Sequence, residues 1–153
     1  MAIPAKIPIL YAEDDHTDRI GHTPDGRQFM AFATFAYSPP YAQLTPAQRA
    51  EWASYRREYV VVHLFDGEGN HVSTNSWYAG TTASCEEAQI EAQLQQMLAA
   101  LGEVRYGDIA VKPFQTQREG ITFGLVADEP AQQVWLLPND LLFMEPWQGE
   151  YYT

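Results

Sequence analysis

One segment of this chain meets every local requirement for an α-helix, and no other of comparable length does: "TTASCEEAQIEAQLQQMLAALGEV", Thr81 to Val104. Ser84 offers an N-cap hydroxyl with Glu87 at N3, and Glu86 and Glu87 complement the positive end of the helix dipole. Ile90, Leu94, Met97, Leu98 and Leu101 recur at helical spacing, and Gly102 stands where a C-terminal stop is needed. The spacing predicts one long amphipathic helix over about 85–101. A single apolar stripe must be buried against another layer, and the rest of the chain reads mainly as strands. The expected architecture is therefore α+β, with a mainly antiparallel sheet of about six to eight strands and the helix packed on one face.

The strand signals are distributed along the chain. In "EYVVVHLFDGEGNHVSTNSWYAG", β-branched and aromatic residues flank the turn Asp66-Gly67-Glu68-Gly69-Asn70, which predicts a hairpin central to the sheet. Pro24-Asp25-Gly26 separates Arg19–His22 from the longer run Gln28–Tyr37, a second hairpin. Leu141–Met144 reads as a last strand stopped by Pro146, and Pro113 marks an edge or a bulge. Thr45, Pro46 and Gln48 form a capping box that opens a short helix near 46–57, with Trp52, Tyr55 and Tyr59 along one face. The repeated Ile-Pro steps of "AIPAKIPIL" predict an extended N-terminal arm over about 1–12, and residues 145–153 form an aromatic tail. At 153 residues and 46% hydrophobic, the chain is of a size to build a single domain, 1–153, on its own core.

Charge excludes more than it assigns. Twenty acidic against nine basic side chains leave a formal charge of -11, which repels phosphates and anionic membranes, so no direct nucleic-acid or membrane binding is expected. The single cysteine, Cys85, and the absence of a signal-peptide pattern point to a cytoplasmic location. The apolar runs are too short to span a bilayer.

No motif for chemistry is complete. Glu13, Asp14, Asp15, His16 and Asp18 resemble a supply of hard-cation ligands, but the glycine and distal glutamate of a calcium loop are missing. The four histidines, His16, His22, His63 and His71, share no metal-ligand spacing, although His63 and His71 can approach across the hairpin. Cys85 stands at a helix start that favours a thiolate, beside two glutamates that oppose it. Phosphate loops and nucleophile elbows are absent. No catalytic residue, metal or cofactor is therefore assigned. Thr81, Thr82 and Ser84, at a strand-to-helix junction, form a candidate anion site. The candidate protein-contact residues are Trp147, Tyr151 and Tyr152 in the tail, with Trp77 and Tyr78 as a second cluster. The bland alternative for the tail is a terminus docked by burial.

Three segments carry a resemblance: "IPAKIPI" near the start, "VVHLFDGEGNH" followed by "WYAGTT", and "PWQGEYYT" at the end. In these the chain resembles a group of small bacterial proteins, some of which carry the name formate hydrogenlyase regulatory protein. The resemblance extends over most of the chain and implies a regulatory role in formate metabolism. With acidity and 20 aromatic rings, the residues themselves favour a non-enzymatic protein that works through protein contacts, regulatory or inhibitor-like. Its partner is another protein or a second copy of the chain. The alternatives are a small-molecule binder or enzyme with a pocket between sheet and helix, and an acidic nucleic-acid mimic or immunity-type protein.

Overall fold

The computed structural model describes residues 2–153. In chain order its elements are β1 (Ile7–Ile9), β2 (Ile20–His22), β3 (Gln28–Tyr37), α1 (Pro46–Ala50), β4 (Arg56–Phe65), β5 (His71–Thr81), α2 (Glu87–Ala99), β6 (Arg105–Tyr106), β7 (Ile109–Val111), β8 (Phe114–Arg118), β9 (Ile121–Asp128), β10 (Gln133–Leu137) and β11 (Leu141–Met144). The strands form three antiparallel sheets: five strands in the order β5-β4-β3-β2-β6, four in the order β11-β10-β9-β8, and the pair β1-β7.

The α+β class and the antiparallel pairing agree with expectation. The strand count does not: eleven strands in three sheets replace one sheet of six to eight. The excess is in β1, β6 and β7, each two or three residues long and so too short to show a period. The two predicted hairpins do form, Arg19–His22 with Gln28–Tyr37 as β2 and β3 and the one within Glu58–Gly80 as β4 and β5, and β3 pairs with β4 over ten consecutive positions. Both strands are buried on two faces, which is why their sequences are nearly continuously apolar. At the hairpin turn, Asp66 Oδ1 accepts from the amides of Glu68 (2.9 Å) and Asn70 (2.8 Å), and the Asn70 side-chain amide donates to Oδ2.

One core lies between the two large sheets. Met30, Phe32, Tyr59, Val61 and Phe65 face Phe123, Leu125, Val134, Leu136, Leu141 and Phe143. The N-terminal arm is part of this core: Ile7 and Ile9 of β1 are buried with Ile109 and Val111 of β7. Of the predicted arm, Met1 lies outside the described residues. A second core fills the opposite face of the five-stranded sheet, where Leu94, Met97 and Leu98 of α2 meet Phe29, Ala31, Val60, Val62 and Leu64.

Both helices are shorter than expected. α2 starts two residues later than predicted because the Ser84 hydroxyl is engaged elsewhere, accepting from the Thr81 amide at 3.0 Å; Glu86 occupies the N-cap without a side-chain cap bond. α1 has its capping box, with Thr45 and Gln48 bonded reciprocally at 2.8 and 3.1 Å. It ends at Ala50, a 3-10 turn spans Trp52–Ser54, and β4 begins at Arg56, so Trp52, Tyr55 and Tyr59 do not share a helical face. Tyr59 is instead a buried strand residue. Among the described residues, no helix is long and apolar enough to cross a membrane.

Candidate interaction surface

A helix rises about 1.5 Å per residue and a strand about 3.3 Å. The 13 residues of α2 therefore span about 20 Å over strands of ten residues that span about 33 Å. α2 covers Phe29, Ala31, Val60, Val62 and Leu64 and then ends. Beyond its first turn the same face continues as Ala33, Phe35, Arg56 and Glu58, uncovered.

At this end three large rings are exposed: Phe35 (43%), Tyr41 (49%) and Trp52 (42%). They are organised around arginines. The Arg56 guanidinium carbon lies 3.8 Å from the Phe35 ring centroid and 5.3 Å from that of Trp52. Its polar edge is held from the other side, with Nε donating to Thr82 Oγ1 at 3.0 Å and Nη2 to Glu58 Oε1 at 3.0 Å. The Thr82 hydroxyl also donates to Glu58, at 2.8 Å, so Arg56 is fixed in a closed triangle. Tyr37 joins Phe35 to Tyr41 through edge-on ring contacts of 6.4 and 5.0 Å, and Arg49 lies over Tyr41. Beside this network runs an open groove of about 750 Å³, lined by Phe35, Tyr37, Pro40, Tyr41, Ile121 and Pro138. Apolar rings, fixed cations and a polar margin are the composition of a protein-contact hot spot.

The residues expected to make contacts from sequence are placed differently from one another. Trp147 and Tyr151 pack against the first core. The Tyr151 hydroxyl donates to Asp14 Oδ2 at 2.6 Å, and burial with the Asp14 charge pushes its pKa up to about 12. Burial raises the Asp14 carboxyl, but hydrogen bonds from the Thr17 amide, the Tyr151 hydroxyl and the His16 amide outweigh it and hold the group low. Tyr152 exchanges two backbone hydrogen bonds of 2.8 Å with Leu142, while its side chain stays 41% exposed. The tail is thus docked. Trp77 packs on the second core, whereas Tyr78 is exposed, with the Arg57 guanidinium 5.6 Å from its ring centroid.

At the candidate anion site, Thr81 Oγ1 and Ser84 Oγ bond each other at 2.9 Å. The amides of Thr82 and Cys85 donate to the carbonyls of Arg56 and Thr81, both at 2.8 Å. The donors of that junction are consumed within the chain, and Glu58, Glu87 and Glu91 line the adjoining groove. Among the described residues, no group of three or more His, Cys, Asp and Glu side chains is placed to hold a metal ion. The space between sheet and helix, expected in one alternative to hold a pocket, is filled by the second core's side chains under Leu94, Met97 and Leu98 and opens at the start of α2 into the groove of about 540 Å³ lined by Ala33, Glu58, Glu87 and Ile90.

His63 and His71 do meet. Both lie 2.8 Å from the Thr74 hydroxyl, through Nδ1 and Nε2 respectively, with ring centroids 6.2 Å apart. His63 is fully buried against Phe32 and Phe114, and burial, then the neighbouring His71 and Arg118, depress its pKa to about 3. His71 is stacked on Phe114 at 4.3 Å, and burial lowers its pKa as well.

Phe35, Tyr41 and Arg56 were not singled out from sequence. The available signal was the mismatch between a helix of four turns and strands of ten residues, which requires an uncovered stretch of sheet. Comparison with protein-family models, curated proteins and solved structures finds no match to this chain.

Proposed function

We propose that the protein acts without chemistry of its own, as a regulatory or inhibitor-like module that engages another protein through the Phe35, Tyr41, Trp52 and Arg56 surface. The observation that carries this reading is the preordering of Arg56: stacked between two half-exposed rings and bonded to Glu58 and Thr82, it gives up little freedom on binding. The net charge of -11 steers a basic partner toward the molecule, and the rings supply the contact. A regulatory role of the kind implied by the resemblance to formate hydrogenlyase regulatory proteins fits contact with a protein rather than with an operator.

The test is capture of binding proteins from the native host by wild type and by a Phe35→Ser, Trp52→Ala double variant. The expected result is one stoichiometric partner held by wild type and released by the variant, whose melting temperature stays close to wild type. A partner retained equally by both proteins removes this surface from the account. A second reading, a small apolar ligand, is favoured by the 750 Å³ groove beside the rings. It predicts a ligand-induced rise in melting temperature that Tyr41→Ala abolishes.

A further inference from the structure

The four-stranded sheet has one face in the first core, and its other face is turned outward. Along β10, Val134 and Leu136 are buried, while Trp135 and Leu137 alternate with them and stand half-buried on the outer side. Trp135 lies directly opposite Val126 of β9 and Leu142 of β11. Directly opposite residues share a face, so an apolar row crosses three strands. α2 packs on the other large sheet and does not cover it.

On this face lies a groove of about 580 Å³, lined by Val126, Asp128, Trp135, Leu137 and Asp140. Leu137 and Asp140 also line the aromatic groove beside Phe35 and Tyr41. The two grooves therefore meet at the turn between β10 and β11. Among the described residues, Asp140 is the one charged side chain lining the aromatic groove, and Asp128 and Asp140 are the two lining its neighbour. Neither carboxylate is ion-paired with a described residue. The nearby arginines are engaged elsewhere: Arg56 is bonded to Glu58, and Arg49 Nη2 donates to the Ala42 carbonyl at 3.3 Å. The Tyr37 and Tyr41 hydroxyls have no hydrogen-bond partner among the described residues and are free to donate to a peptide carbonyl.

We infer that the partner engages this surface with an extended segment that carries a Lys or Arg between two apolar residues. One apolar side chain enters the aromatic groove, the cation sits on Asp140, and the other apolar side chain packs on Trp135 and Val126. The inference rests on the protein-contact reading above and adds the partner's chemistry to it. A helix lays one apolar stripe in one groove, whereas this contact passes over a turn from one groove into another, which suits a single extended strand. Charge selects the rest. An anionic segment meets two unpaired carboxylates on a molecule of charge -11, and a cation flanked by apolar residues is complementary at every point along the path.

The experiment is selection from a phage-displayed random dodecapeptide library on the full chain, followed by fluorescence anisotropy with a synthetic copy of the most enriched peptide. Enriched peptides are expected to share a Lys or Arg with an apolar residue on each side. Asp140→Asn, which keeps a residue that tolerates the left-handed turn, is expected to remove the basic preference and weaken the peptide about three- to five-fold. Trp135→Gln and Phe35→Ser are each expected to remove the preference for one of the two apolar positions, with melting temperatures near wild type. No enrichment, or enriched peptides without a basic position, overturns the inference. Peptides that depend on Phe35 but are indifferent to both Asp140→Asn and Trp135→Gln also overturn it, and leave the aromatic contact surface standing. Peptides indifferent to Phe35→Ser overturn the two-groove path and count against that surface as well. If Trp135→Gln fails to fold, Asp140→Asn decides alone, because its side chain is exposed.

Discussion

His63 shows what a single residue can commit a fold to. Its ring is sealed between the sheets, its Nδ1 is satisfied by Thr74, and its Nε2 is buried without a partner. The neutral ring is tolerated there and the cation is not, which is the physical content of a pKa near 3. The unfolded chain binds the proton near 6.5, so the unfolded state takes up more protons between those values. Stability contributed by the neutral ring is complete above pH 6.5 and is lost as pH falls from there toward 3, at a limiting slope of about 1.4 kcal/mol per pH unit. His71, lowered in the same direction, adds to the loss. Urea unfolding at pH 7 and pH 5 is expected to show a marked drop in wild type that is reduced in His63→Leu. An equal drop in both proteins contradicts the assignment.

At the scale of elements, the hairpin turn between β4 and β5 is held from two directions. Asp66 organises the turn internally, and the Gly69 carbonyl accepts from the Lys112 amide just after β7, at 2.9 Å. Gly69 has φ +89, and an added Cβ there would stand 2.8 Å from the Ala110 carbonyl oxygen. Gly26, in the turn between β2 and β3, has φ +84 but nothing within 4 Å of the same atom. The two glycines therefore separate backbone strain from close packing. Gly26→Ala is expected to cost about 1 kcal/mol, the left-handed conformation alone. Gly69→Ala is expected to cost more, because β7 must move as well. Thermal melts of the two variants check this, and equal losses would mean that the turn and β7 are not tightly packed.

Seen whole, the molecule joins two cores to a strongly acidic surface. Several of its cations are already paired: Arg19 with Glu91, Arg27 with Asp25, Arg56 with Glu58 and Arg57 with Glu119. The excess carboxylates repel one another, and added salt screens that repulsion over about 10 Å at 0.1 M. The melting temperature is thus expected to rise with sodium chloride between low and moderate ionic strength. A fall would show that the ion pairs outweigh the net charge. Raised salt is also expected to slow capture of a basic partner.

The amino-acid sequence alone determined the α+β class, the strands Gln28–Tyr37 and Leu141–Met144, the hairpin within Glu58–Gly80, and the existence of α2. Each of these rests on a local pattern long enough to express its period, or on a turn that demands particular residues. Tertiary structure decided what no local pattern encodes. The strand partners of Ile7–Ile9 lie about a hundred residues away, and β1, β6 and β7 exist only because a neighbour pairs with them. The Ser84 hydroxyl could cap α2 or close the Thr81 turn, and the chain's return over β4 selected the turn. The aromatic surface arises from the same cause: rings distant in sequence stay exposed together because α2 is too short to cover β3 and β4, a relation between lengths that becomes geometry only when helix and sheet are packed.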